Sequence, residues 1–213
     1  MTLGVIGVGN VGSKVAKAAE LLGMNVLRND PPRAEREGAD GFTELPELLS
    51  ESDFVTLHTP LTRDGAHPTF HLCNAAFLAG MKRNAQLFNS GRGEVVDSSA
   101  LKTALKTGRI AGAVLDVWEN EPGIDRELLN RVRIGTPHIA GYSTDGKANG
   151  TAMSVRAIAN FFGIAELRNL RNDPAGFETQ RGRYRVRREF PAFTVRNASP
   201  EARAILEKLG FNF

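Results

Sequence analysis

The segment Gly7-Val8-Gly9-Asn10-Val11-Gly12 restricts the fold of this chain more than any other feature. A short apolar run (Leu3, Val5, Ile6) leads straight into it. Val11, Val15, Ala18, Ala19 and Leu22 then recur at helical spacing. The order strand, glycine turn, helix is the opening of a βαβ unit. Gly7 permits the tight turn, Gly9 lets the backbone approach a pyrophosphate, and Gly12 lets the helix pack closely on the strand. The helix start at Asn10 and Val11 presents free N–H groups to phosphates. A second apolar segment, Met24–Leu27, is followed by Asp30, 18 residues after Gly12. An acid there accepts hydrogen bonds from a ribose 2′-OH and repels a 2′-phosphate, so NAD is expected over NADP. Arg33 works against that choice, because a neighbouring Arg offsets the charge of Asp30. The same glycines are also consistent with a mononucleotide or flavin site.

Short apolar runs alternate with helical patterns through residue 163. Strands are expected at Leu3–Gly7, Asn25–Arg28, Phe54–Leu57, Gln86–Phe88, Ile110–Leu115 and Ile134–Gly135. Helices are expected over Val11–Leu22, Leu45–Leu49, Asn74–Gly80 and Ser98–Thr107. Such alternation predicts an α/β fold, a doubly wound parallel sheet of Rossmann type. A further helix over 148–163 has Met153, Ala157, Ile158, Phe161 and Phe162 as its apolar side. The character then changes, with seven Arg between 168 and 188. Arg181, Arg183, Arg185 and Arg187 alternate with Gly182, Tyr184 and Val186, as in a strand with one charged face. That face reads equally as a solvated edge or as an anion site. A short amphipathic helix over 201–209 follows. The expected division is 1–164, a dinucleotide-binding domain, and 165–213, a small α+β appendage.

Composition excludes several classes. Hydrophobic residues make up 41% and charged residues 24%, as in ordinary globular proteins. A net charge of +3 makes no case for nucleic acid or a membrane surface. No apolar run reaches transmembrane length, and no signal-type segment opens the chain. The single cysteine, Cys73, rules out an internal disulfide and suits a reducing cytoplasm.

Polar residues gather where strands end: His58-Thr59-Pro60, Asn89-Ser90-Gly91-Arg92-Gly93, Asp116 to Glu121, and Pro137-His138. In an open α/β sheet, ligands bind beyond the carboxyl ends of the strands. All four segments should therefore line one crevice with the Gly7–Gly12 loop. Arg92, Glu121 and His138 are the candidates for chemistry. The Arg fork binds a carboxylate bidentately, the His exchanges a proton with a hydroxyl, and a Glu beside it holds the imidazole's orientation. With NAD, this set describes oxidation of a 2-hydroxy acid. His58, His67 and His71 have no comparable partners. His67 and His71 lie four apart, but Pro68 between them opposes a helix, and no metal site is expected.

GVGNVG (7–12), HTPLT (58–62), NSGRGEVVD (89–97), LDVWENEP (115–122) and PHIAGYS (137–143) together resemble the D-isomer-specific 2-hydroxyacid dehydrogenases. The resemblance spans residues 1–163. It implies a catalytic set of Arg92, Glu121 and His138. It implies cofactor contacts at Gly7, Gly9, Asn10, Val11, Gly12, Asp30, His58, Thr59, Pro60, Ser90, Gly91, Asp116 and Gly141, with Asp116 near the nicotinamide end. The Arg-rich tail resembles a shortened C-terminal dimerisation domain found within the family, which implies a homodimer. A phosphorylated 2-hydroxy acid would then meet Arg187 or Arg188. Family members carry a substrate-binding half before the glycine-rich strand. Here that strand starts at residue 2 or 3, so this chain is expected to bind NAD but to turn over feebly by itself. A glycerate- or glyoxylate-type dehydrogenase and a non-catalytic NAD-binding module, such as a corepressor, are the rival readings. The presence of Arg92, Glu121 and His138 argues against the module, since a pure sensor needs no general base.

Overall fold

The computed structural model describes residues 1–141 and 144–165, with two single positions, 200 and 204. Six parallel strands form one sheet in the order β2-β1-β3-β4-β5-β6. They are β1 (Thr2–Ile6), β2 (Asn25–Asn29), β3 (Phe54–Leu57), β4 (Gln86–Asn89), β5 (Gly112–Leu115) and β6 (Ile134–Gly135). Between them run α1 (Asn10–Leu21), α2 (Pro31–Glu37), α3 (Leu45–Glu51), α4 (Ala75–Gly80), α5 (Ser98–Lys106) and α6 (Arg126–Leu129). The expected doubly wound parallel sheet is present. The central strands carry near-continuous apolar runs because helices cover both faces. Val5, Val55, Leu87 and Ala113 are fully buried.

Strand order reverses between β1 and β3. From β1 the chain passes to β2 on one side, then crosses back to β3 on the other. Such a switch leaves a crevice beyond the carboxyl ends of the two strands. Here Gly7 follows β1 and His58 follows β3, and His58 N–H donates to the Ile6 carbonyl at 2.8 Å.

Short polar side chains start several helices. Asp30 caps α2, Asn74 caps α4, Asp97 caps α5 and Asp125 caps α6, each accepting from a backbone N–H of the first turn. The helices α2 and α6 lack a strong apolar period, and the sequence reading does not contain them.

Helix α1 is where the periodicity places it, but its buried face is not. Gly12, Ala16 and Ala19 are buried, while Val11 and Leu22 are exposed. A Cβ on Gly12 would sit 2.0 Å from the Gly7 carbonyl oxygen. At that approach only small residues fit deepest between helix and sheet, so Val11 and Leu22 turn outward while Val15 packs at the edge of the core.

The chain divides into two units, Met1–His138 and Ile139–Phe213. The second unit contains α7 (Thr144–Phe162), longer at its start than expected. Its buried positions include Ala148, Ala152 and Ala159, whereas Met153, Ala157, Ile158, Phe161 and Phe162 are exposed. The expected apolar side is therefore the outer one. The Arg-rich segment and the expected helix over 201–209 lie outside the described residues, apart from position 204. No helix among the described residues is long and apolar enough to cross a membrane.

Candidate active site and dinucleotide cleft

The glycine loop has the geometry that its three roles demand. Gly7 has φ +83°, and a Cβ there would meet the His58 and Thr59 backbone at 2.8 Å. Above Gly9, by contrast, nothing lies within 4 Å of where a Cβ would stand. The loop thus closes against β3 on one side and is open on the other. Gly9 is the N-cap of α1 and supplies no side chain to its first-turn N–H groups. Asn10 and Val11 occupy that open turn, where the helix dipole favours an anion.

A cavity of about 410 Å³ runs from this loop along the ends of β1, β2 and β3. Gly7, Asp30, Pro31, Thr59, Pro60 and His67 are among its walls. Asp30 Oδ2 accepts the Val8 N–H at 2.8 Å, and Oδ1 accepts the Arg33 N–H at 3.1 Å. Each oxygen keeps a lone pair for a ribose hydroxyl. Thr59 Oγ1 is buried with no hydrogen-bond partner among the described residues. An orphaned hydroxyl in a cleft beside an open glycine loop fits a dinucleotide that supplies the missing partner. His67 Nε2 lies 2.7 Å from Glu35 Oε1 and so links the 58–72 loop to α2. His58 faces inward, 3.0 Å from Thr56 Oγ1, and burial lowers its pKa, which keeps it neutral.

The Arg33 side chain hydrogen-bonds groups other than the Asp30 carboxylate. Its guanidinium binds Glu37 through Nε and Nη2, and Nη1 donates to the Val8 carbonyl at 2.6 Å.

Glu121 and His138 meet as expected. His138 Nδ1 lies 2.7 Å from Glu121 Oε2, and Glu121 Oε1 accepts the Trp118 N–H at 2.8 Å. The His138 N–H donates to the Asp116 carbonyl at 2.7 Å, and His138 sits at φ 53°. Trp118 Nε1 donates to the Thr136 carbonyl at 2.9 Å, fastening the segment after β5 to the end of β6. The Asp116 carboxylate is buried and accepts the Thr136 hydroxyl at 2.6 Å. A cavity of about 300 Å³ is walled by Trp118, Glu121, Pro122, Thr136 and His138.

Arg92 is brought to the same end of the sheet by its neighbours. A Cβ on Gly93 would lie 2.0 Å from the Trp118 carbonyl oxygen, so the turn carrying Arg92 lies directly on the Trp118–Glu121 segment. The Arg92 side chain is exposed and donates to the Gly91 carbonyl at 2.8 Å. It makes no hydrogen bond to Glu121 or His138. Gly91 N–H donates to Asn89 Oδ1, and Ser90 is exposed beside it. Gly141 lies in the second unit, and Arg187 and Arg188 lie outside the described residues.

His71, like His67, has a carboxylate partner apart from the Glu121–His138 pair: its Nε2 lies 2.6 Å from Glu119 Oε1, and Glu119 Oε2 accepts the Ser98 N–H at 2.8 Å. Burial raises the Glu119 carboxyl pKa, but the hydrogen bonds from His71 and Ser98 outweigh it and leave the group below the usual carboxylate range. The pair joins residues 48 apart in sequence, so no local spacing announces it. The alternation Glu119-Asn120-Glu121 was the available signal, since it sends two carboxylates to different partners. No group of residues that could hold a metal ion occurs among the described residues.

The profile of the D-isomer specific 2-hydroxyacid dehydrogenase NAD-binding domain matches residues 1–140. The chain belongs to this family. An erythronate-4-phosphate dehydrogenase from Bacteroides thetaiotaomicron is 43% identical over 227 aligned positions, which cover 92% of this chain and 65% of that protein. This chain thus spans just under two thirds of that relative's length. Among solved structures, D-lactate dehydrogenase from Aquifex aeolicus complexed with NAD and lactic acid superposes with TM-score 0.62 at 34% identity, covering 78% of this chain and 55% of that one. An NADPH-dependent glyoxylate/hydroxypyruvate reductase from Sinorhizobium meliloti gives TM-score 0.62 at 34% identity, covering 75% and 50%. The fold is thus shared by a protein complexed with NAD and by an NADPH-dependent one.

Proposed function

We propose that this site oxidises 4-phosphoerythronate to its 2-oxo acid with NAD, a step of vitamin B6 biosynthesis, acting as a cytoplasmic homodimer. The observation that carries the reaction type is the His138–Glu121 hydrogen bond at 2.7 Å beside a dinucleotide cleft. The substrate is supported by the likeness to erythronate-4-phosphate dehydrogenase. Gly7–Gly12, Asp30, Thr59 and Asp116 are the residues proposed to hold NAD. NAD, when bound, accepts the hydride from the substrate's C2.

The protein's part is proton transfer and positioning. Nδ1–H of His138 donates to Glu121, which leaves Nε2 with its lone pair outward. Nε2 takes the hydroxyl proton as the carbonyl forms, and returns it in the reverse direction. Arg92 swings from the Gly91 carbonyl to the substrate carboxylate, which it grips through two parallel hydrogen bonds. Arg187 and Arg188 are proposed to bind the phosphate.

A panel of 4-phosphoerythronate, erythronate, glycerate and lactate tests the reading. The phosphorylated acid is expected to give the highest kcat/KM, by at least about tenfold over erythronate, given the strength of charge-assisted bonds to phosphate. Equal rates for phosphorylated and unphosphorylated acids would assign the chain to a different member of the family.

A further inference from the structure

The pair Arg33–Glu37 has the wrong arrangement to serve α2. Arg33 stands in the first turn of the helix and Glu37 is its last residue. The helix dipole disfavours a cation at the start and an anion at the end. For an i,i+4 pair, acid before base is also the better order, and here it is reversed. Both side chains are partly exposed, so the pair adds little to folding. Yet the geometry is closely determined. Arg33 Nε lies 2.9 Å from Glu37 Oε1, Nη2 lies 2.5 Å from Oε2, and the guanidinium stands 5.5 Å over the Phe42 ring. Its remaining arm reaches the Val8 carbonyl, the residue whose N–H binds Asp30.

We infer that Glu37 is a specificity-determining residue for the dinucleotide: by occupying the Nε/Nη2 edge of Arg33, it withholds that fork from a ribose 2′-phosphate. The inference rests on the dinucleotide reading of the cleft. The Nε/Nη2 edge is the fork that matches a phosphate bidentately. Glu37 also lies 3.9 Å from Arg36 Nη2, so Asp30, Arg33, Arg36 and Glu37 sum to zero with Glu37 present and to one positive charge without it, when the Arg33 fork is also open. Asp30 thus selects NAD by accepting from the 2′-hydroxyl, and Glu37 selects against NADP by silencing Arg33. The two devices are separable, because the Asp30 carboxylate hydrogen-bonds the Arg33 backbone N–H and not its guanidinium.

Calorimetric titration of the full chain with NAD and with NADP tests this without any turnover. Glu37→Gln is expected to tighten NADP by about tenfold and to leave NAD within about twofold, as a new bidentate charge-assisted contact implies. Adding Arg33→Met to Glu37→Gln is expected to remove the gain. Glu37 is a partly exposed helix-end residue, and a melting curve for each variant confirms the fold. A Glu37→Gln variant in which the two affinities move together, or in which NADP is unchanged, overturns the inference. A gain that survives Arg33→Met overturns it too, since a group other than Arg33 would then be binding the 2′-phosphate. Failure of the unmodified chain to bind either dinucleotide would strike the reading of the cleft itself, and the inference with it.

Discussion

Replacing His138 with Ala lowers kcat for the 2-hydroxy acid by roughly 10²–10⁴, the range for a positioned acid–base group, while the dissociation constant for NAD stays within about twofold. The two outcomes separate because His138 lies on the wall of the cavity after β6, whereas most of the residues proposed to hold the dinucleotide lie along the cleft at the ends of β1 and β2. Its side chain is only half-buried, so its loss leaves no large void. The backbone at His138 has φ 53°, a conformation that Asn adopts more readily than Ala. His138→Asn is therefore the companion variant, with the same loss of rate and the native backbone. Steady-state rates and NAD titration on both variants check the result. Activity at the unmodified rate in either would remove His138 from proton transfer.

Glu121→Gln is expected to be nearly as damaging, for a reason specific to this site. Glu121 Oε1 accepts the Trp118 N–H, and Oε2 faces His138 Nδ1. In the amide, the oxygen must stay with the Trp118 N–H, which can only donate. The NH₂ group is then directed at Nδ1, so Nδ1 must accept and the proton moves to Nε2. The imidazole is held in the tautomer that cannot take a proton from substrate. A loss in kcat of on the order of 10²–10⁴ is expected, as when a serine-protease aspartate is changed to its amide. Glu121→Ala removes the enforcement as well as the partner, so its loss should be smaller than that of the amide. Larger loss in the alanine variant would show that Glu121 acts by charge or packing rather than by fixing the tautomer.

Much of the fold is written in local pattern. The Gly7–Gly12 turn, the six strands and the helices with strong periods each depend on residues a few places apart, and these are readable without the structure. The buried faces were harder. In α1 the valines and leucine hold the helical period, but Gly12 draws the helix onto Gly7, and Ala16 and Ala19 follow it inward. Hydrophobicity ranks side chains by size, whereas close packing selected the small ones. The same inversion recurs in α7, where Ala148, Ala152 and Ala159 are buried and Phe161 and Phe162 are not.

The candidate site divides along the same line. Glu121 and His138 stand at the ends of adjacent strands β5 and β6, so topology alone brought them together. Asp30 could be placed because the end of β2 is next to the end of β1. The partners of Arg33 and His71 could not. Whether Arg33 faces Asp30 or Glu37 depends on which rotamer the Val8 carbonyl and Phe42 support. His71 meets Glu119 only because the 58–72 loop folds back onto the turn after Arg92, where the His71 N–H bonds the Glu94 carbonyl at 2.8 Å. The His71 contact leaves no trace in spacing or period, and the i,i+4 spacing of Arg33 and Glu37 carries meaning only once α2 is known to be a helix.

The central claim is that this cleft couples a hydride leaving C2 of a 2-hydroxy acid to a proton leaving for His138. Incubating the full chain with NAD and 4-phosphoerythronate deuterated at C2, then weighing the reduced cofactor by mass spectrometry, tests it most directly. The account predicts that the reduced cofactor carries the deuterium and that its formation falls with His138→Asn. Oxidised product accompanied by reduced cofactor without deuterium, or formed with the cofactor left oxidised, would contradict it.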